Sequence, residues 1–245
     1  MPPTPAQVDK LLRDAEPKTK HSGSEYVLGK GPQRYIIAGA SGSGKSYSFA
    51  RYACSYGTTL WDAIYYIAPT RTLQGDKKLA VYRKVWGEFY VQIPCDNNVL
   101  DTATLDKHLE HAKASKWHVL VVFDDLLQAM RHPMVTSLYI SGRHDGISVA
   151  TLCQSLWTGN KTARLNASVF WLHSMSERRE VAELAQRLTT DKSRARMLSK
   201  CYDNVISRNN HGSVIICLDV PSTPELPLRV RDSSPEVLVA ELWKL

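Results

Sequence analysis

Long apolar runs are missing from this 245-residue chain. The longest, such as Val119-Leu-Val-Val-Phe123, fall far short of the roughly 20 residues a helix needs to span a bilayer, so no membrane segment is expected. The amino terminus, Met1-Pro-Pro-Thr-Pro, lacks the basic and apolar regions of a secretory signal, and the expectation is a protein that stays in the compartment where it is made. Cysteine is sparse. Cys54, Cys95, Cys153, Cys201 and Cys217 are odd in number and show no Cys-x-x-Cys spacing, which suits free thiols better than disulfides or zinc. Aromatics are not interleaved with the basic carboxyl-terminal run, which argues against a stacking platform for sequence-specific single-strand recognition. Internal repeats are absent too.

What is present fits one substantial core: 43% hydrophobic and 22% charged residues, in a length ordinary for a single α/β domain. The net charge of +7 and pI near 9.1 favour contact with a polyanion, because Lys and Arg that neutralise phosphates release counterions. A solvated positive face would give the same numbers.

Residues Gly39, Ala40, Ser41, Gly42, Ser43, Gly44, Lys45 and Ser46 spell a full phosphate-binding loop. The run Arg34-Tyr-Ile-Ile-Ala38 supplies the strand before it, and the residues from Tyr47 supply the helix after it. In such a loop backbone amides cradle phosphate oxygens, Lys45 reaches the outer phosphates and the Ser46 hydroxyl is placed for magnesium. A nucleoside triphosphate is the expected ligand, with Tyr47 closing the binding segment.

Five apolar runs alternate with helical patterns: Tyr35–Ala38, Ala63–Ala68, His118–Phe123, Ile147–Cys153 and Ser168–His173. They predict a mostly parallel sheet wrapped by helices, with the ligand crevice at the strands' carboxyl ends. Around this core, spanning 31–220, the pattern predicts an amino-terminal arm at 1–30 with a helix near residues 5–15. A proline-rich connector and terminal helix should occupy 221–245. Helices are expected over Ser176–Leu188 and from Asp191 to about Cys201, and a hairpin of Asp203–Ser207 with Ser213–Leu218.

The third apolar run ends in Asp124-Asp125, as a Walker B strand does. Asp124 should hold magnesium through water, and Asp125 should orient and deprotonate the attacking water. The fourth run ends at Gln154, whose amide both donates and accepts and is placed like a γ-phosphate sensor if its strand lies between the other two. Arg143, at the opposite end of that strand, cannot easily act on its own nucleotide but could reach a neighbour's in a ring as an arginine finger, with Arg131 and Arg164 as further candidates.

In this order Gly39–Ser46, Phe123-Asp-Asp125, Gly142-Arg-His144 and Gln154 make residues 31–175 resemble the viral genome-packaging ATPases of the FtsK-HerA superfamily. The likeness is to the poxvirus-type packaging ATPase of large double-stranded DNA viruses and virophages. The resemblance implies a RecA-like core, an oligomeric ring, and ATP- and magnesium-driven movement of double-stranded DNA into a preformed capsid, with a capsid or portal vertex as partner; the carboxyl-terminal helical and hairpin extension rests on the residue pattern alone. Host cytoplasm or a viral factory is the implied location. Asp125 departs from the glutamate usual in cellular members by one methylene. Lys161 and Arg164, just beyond the sensor strand, are the first candidates for DNA contact. Arg178, Arg179, Arg187, Lys192, Arg194, Arg196 and Lys200 form a second basic region whose arginines interleave with Glu177, Glu180 and Glu183.

Other readings remain at this level. Asn160-Lys161-Thr162-Ala163 begins like a guanine-reading element but lacks its final aspartate. A phosphate-loop kinase, a non-viral DNA translocase or secretion ATPase of the same superfamily, and a non-catalytic nucleotide-binding scaffold share parts of the pattern. His108 and His111 have helical spacing but no convergent third ligand, so magnesium is the only metal expected.

Overall fold

Buried apolar residues at both odd and even positions of the strands dictate the architecture, because such strands must be covered on two faces. A computed structural model describes residues 32–55, 57–157, 160–208, 211–218 and 229–232. The arm helix expected near 5–15 and the terminal helix lie outside these residues, as does most of the connector.

Among the described residues the sheet has eight strands: β1 (Arg34–Ala38), β2 (Ala63–Ala68), β3 (Tyr90–Pro94), β4 (Val119–Asp124), β5 (Ile147–Cys153), β6 (Val169–Leu172), β7 (Val214–Cys217) and β8 (Arg229–Asp232). Their order is β3-β2-β4-β5-β1-β6-β7-β8. The first six run parallel, and β7 and β8 are antiparallel additions at one edge. The helices are α1 (Lys45–Ser55), α2 (Thr70–Gly75), α3 (Lys78–Trp86), α4 (Thr102–Ala114), α5 (Pro133–Ser141), α6 (Lys161–Asn166), α7 (Arg178–Leu188) and α8 (Lys192–Arg208).

Alternation along each strand sends its side chains to two covers. Tyr35, Ile37, Tyr66, Val122 and Trp171 pack with Phe49 and Tyr52 of α1 and Tyr82 of α3. On the other face Tyr65, Val121 and Phe123 meet α4 and α5, while Ile36, Phe170 and Ile216 meet α7 and α8. This is the α/β, RecA-like arrangement expected of a phosphate-loop protein.

Two elements differ from the sequence reading. Strand β3 was not expected: only Tyr90 and Ile93 are buried, Val91 and Gln92 are half-buried, and Pro94 ends it, the profile of an edge strand. The hairpin arm expected at Asp203–Ser207 is instead the last part of α8. Ala195, Leu198, Cys201, Tyr202 and Val205 recur at helical spacing and are buried against α7, and this face outweighs the local β propensity of Val205 and Ile206. The second arm does form a strand, but its partners are β6 and β8.

Candidate active site

Because β5 pairs with both β1 and β4, the phosphate loop, Asp124 and Gln154 all emerge at neighbouring carboxyl ends of the sheet. The loop is tied at its root from two sides. Gly39 N–H donates to the Cys153 carbonyl at 3.1 Å and Ala40 N–H to that of Ser174 at 2.7 Å. Gly42 and Gly44 take φ of 76° and 94°, which only glycine adopts cheaply. A β-carbon at Gly39 would lie 2.6 Å from the His173 Cβ and 2.7 Å from the Ser43 Oγ, so the loop's packing also requires glycine there.

Lys45 opens α1, and its ammonium donates to the carbonyls of Gly39 at 2.7 Å and Ala40 at 3.0 Å. Burial depresses its pKa, opposed by the charges of Asp124, Cys153 and Asp125. Those carbonyl bonds are ones that phosphate oxygens can replace at short reach. The Tyr47 side chain is buried in the core with α1, so it is committed to packing.

Asp124 is buried at the end of β4 and accepts a 2.6 Å hydrogen bond from the Tyr66 hydroxyl on β2. Burial pushes its pKa up to about 6, the Tyr66 bond opposes this, and the neighbouring charges of Asp125 and Asp76 add to it. One carboxylate oxygen bonded to a phenol leaves the other for a cation's water shell. With the Ser46 hydroxyl one residue after Lys45, the donor set is hard oxygen, which fits magnesium completed by phosphates and waters. Among the described residues no three His, Cys, Asp or Glu side chains form a metal cage of their own.

The chain leaves β4 at Asp125 with φ 55°, a strained conformation that Asp tolerates better than most residues. Its N–H donates to the Leu152 carbonyl at 3.0 Å, and its exposed carboxylate accepts from the Gln154 amide at 3.2 and 3.1 Å. The candidate base and the candidate sensor are therefore in direct contact. A water in line with a γ-phosphate could be held between them, its proton going to Asp125.

Arg143 lies in the turn Gly142–Asp145 that enters β5 at its other end. With seven residues of strand between, it is roughly 20 Å from Gln154 at the usual rise per residue. It is exposed, and Asp145 pairs with Lys113 at 3.2 Å. Arg131 is exposed in the turn after the Walker B strand. Asn160 caps α6 by accepting from Thr162 N–H at 2.8 Å and donates to the Met130 carbonyl at 3.2 Å, so its amide is committed to structure, not to a base. His108 packs on Tyr65 and His111 on Trp117, each at 5.2 Å between ring centroids.

Three residues that sequence reasoning missed arrive from distant elements. Tyr66 orients Asp124. His173, fully buried beyond β6, sets its Nδ1 3.1 Å from the Ser43 carbonyl, and burial lowers its pKa to about 3, so it is neutral and the Nδ1–H donates. Tyr202 of α8 donates to the His173 carbonyl and accepts from Met175 N–H, both at 2.8 Å, locking the segment that braces the loop. No motif contains them; Tyr66 and His173 carried only the signal of a polar group in or at the end of an apolar run, and Tyr202, in Ser199-Lys-Cys-Tyr-Asp-Asn204, carried none.

A family model described as "Poxvirus A32 protein" matches residues 24–223. Among curated proteins no sequence matches. Among solved structures, the DNA-packaging ATPase B204 from Sulfolobus Turreted Icosahedral Virus is similar with a TM-score of 0.59 at 14% identity, over 84% of this chain and 98% of that one. The genome packaging NTPase B204 from Sulfolobus turreted icosahedral virus 2 in complex with ATP-gammaS gives a TM-score of 0.56, also at 14% identity, over 83% and 98%.

Proposed function

This chain belongs to the poxvirus A32 protein family, and from that membership we propose that it is an ATP-hydrolysing motor that translocates double-stranded DNA, packaging a viral genome into a preformed capsid. The observation that carries the reading is the contact of Gln154 with both carboxylate oxygens of Asp125, on a strand set between the phosphate loop and Asp124. A kinase has no use for a glutamine bridged to a water-activating carboxylate. The B204 proteins that share the fold are described as packaging enzymes, and one was solved with ATP-gammaS.

In this reading the amides of Gly39–Ser46 and the Lys45 ammonium hold the triphosphate. Ser46 and Asp124 would hold magnesium, which would supply positive charge against the triphosphate. Asp125 accepts the proton of the attacking water, and Gln154 orients that water and reports the loss of the γ-phosphate to the loop beyond it. Arg143 acts in trans, which makes a homo-oligomeric ring part of the active site. Lys161 and Arg164 contact DNA phosphates, and a capsid or portal vertex receives the ring. The motor works in the host cytoplasm or viral factory. Among the described residues no helix is long and apolar enough to cross a membrane.

The test is an ATPase assay with and without double-stranded DNA, coupled to mass measurement of the assembly. Stimulation by DNA in an oligomer is expected, with Asp125→Asn retaining nucleotide binding but losing most turnover. A monomer indifferent to DNA would contradict the reading.

A further inference from the structure

We propose that Arg164 and Arg187, gathered on the single indole of Trp157, form a site for a DNA backbone phosphate that is mechanically tied to the sensor Gln154. The inference rests on the motor reading above and adds to it a second arginine and a route of coupling.

Trp157 lies three residues beyond Gln154. The guanidinium carbon of Arg164, from α6, is 5.0 Å from its ring centroid, and that of Arg187, from the last turn of α7, is 4.4 Å away. Two cations on one ring repel each other, and a bridging anion relieves that repulsion. Burial and the charge of Arg187 both depress the Arg164 pKa, the signature of a crowded positive site.

Stacking holds a guanidinium by its face and leaves its in-plane N–H edge to bind oxyanions. Arg164 directs one N–H to the Trp157 carbonyl at 3.4 Å, so a hydrogen bond as well as the ring fixes its guanidinium over the indole. Arg187 is exposed and makes no ion pair among the described residues. Its neighbours differ: Arg179 pairs with Glu177 at 2.7 Å, Arg178 with Asp203 at 3.6 Å and Arg194 with Asp191 at 3.5 Å. Of the arginines on α7, Arg187 is thus the one held by a ring instead of a carboxylate. Exposed Lys161, one turn before Arg164 on α6, extends the positive surface as a polyanion would need.

The site is also anchored to the sensor loop. Leu156 N–H donates to Glu180 Oε2 at 2.6 Å, and Glu180 is buried on α7 seven residues before Arg187, on the same helical face. A displacement of Gln154 therefore reaches α7 through Leu156 and Trp157 by contiguous contacts.

The experiment is equilibrium binding of a short duplex of arbitrary sequence to the full chain with ATP-gammaS, across a salt series. The slope of log affinity against log salt should fall by about 0.9 for each phosphate contact removed, in Arg164→Gln and in Arg187→Gln, while ion-paired Arg178→Gln keeps the wild-type slope. Should half-buried Arg164→Gln unfold, exposed Arg187→Gln carries the test alone. Wild-type binding with an unchanged slope in Arg187→Gln overturns the site but not the motor. No duplex binding by wild type overturns both. Loss of ATP turnover in Arg187→Gln that is regained on mixing with Lys45→Ala subunits would assign the guanidinium to a neighbour's nucleotide and overturn the DNA assignment.

Discussion

Asp124 carries a chemical tension: its proposed role in holding magnesium needs a negative charge where burial opposes one. Its folded pKa is raised from the ordinary 3.8 to about 6. A raised carboxylate favours folding fully below the unfolded value, and that contribution disappears as pH rises through about 6. At neutral pH without nucleotide, the ionised group therefore strains the fold. Asp124→Asn, whose amide oxygen can still accept from Tyr66, should raise the melting temperature at pH 7.5 by roughly 2–4 °C per kcal/mol recovered, and should abolish magnesium-dependent turnover. Thermal melts of both proteins at pH 5 and pH 7.5 check this: the gap should shrink at the lower pH. A mutant that melts lower than wild type at both would show that Asp124 stabilises the fold instead.

At the scale of elements, the phosphate loop is held by long-range anchoring as well as by its own sequence. Tyr202 closes the bracket by bonding on both sides of Ser174, whose carbonyl receives the Ala40 N–H. Tyr202→Phe leaves the Met175 N–H and the His173 carbonyl without that partner, at about 1–3 kcal/mol for a buried group. We expect a lower melting temperature and weaker binding of a fluorescent ATP analogue; unchanged nucleotide affinity in a folded Tyr202→Phe would show that the bracket does not reach the loop. This bracket also marks what the sequence could and could not convey. The phosphate loop and the strands that end at Asp124 and Gln154 were legible because each strand is a doubly buried apolar run, and the loop adds a local chemical motif. Tyr66, His173 and Tyr202 were not, because they act across strand pairings and helix packing that no spacing encodes. Five strands were legible as doubly buried apolar runs, whereas β3 has an edge strand's weak signal. The end of α8 was misread because packing on α7 decided between helix and strand.

For the whole molecule, the proposed trans role of Arg143, which lies at the far end of β5, requires an active site shared between subunits. Subunits carrying Arg143→Ala and subunits carrying Lys45→Ala should each be nearly inactive alone, yet regain ATPase activity when mixed, since some interfaces then join an intact loop to an intact arginine. Rings verified as mixed by native mass spectrometry that show no recovery would remove Arg143 from the site. The central claim is that hydrolysis moves the chain along duplex DNA, and displacement of a third strand from a linear duplex tests it most directly. With ATP and magnesium the wild-type protein should strip the triplex strand, and neither ATP-gammaS nor Lys45→Ala should support stripping. A preparation that hydrolyses ATP and binds the duplex but leaves the triplex intact would contradict the account.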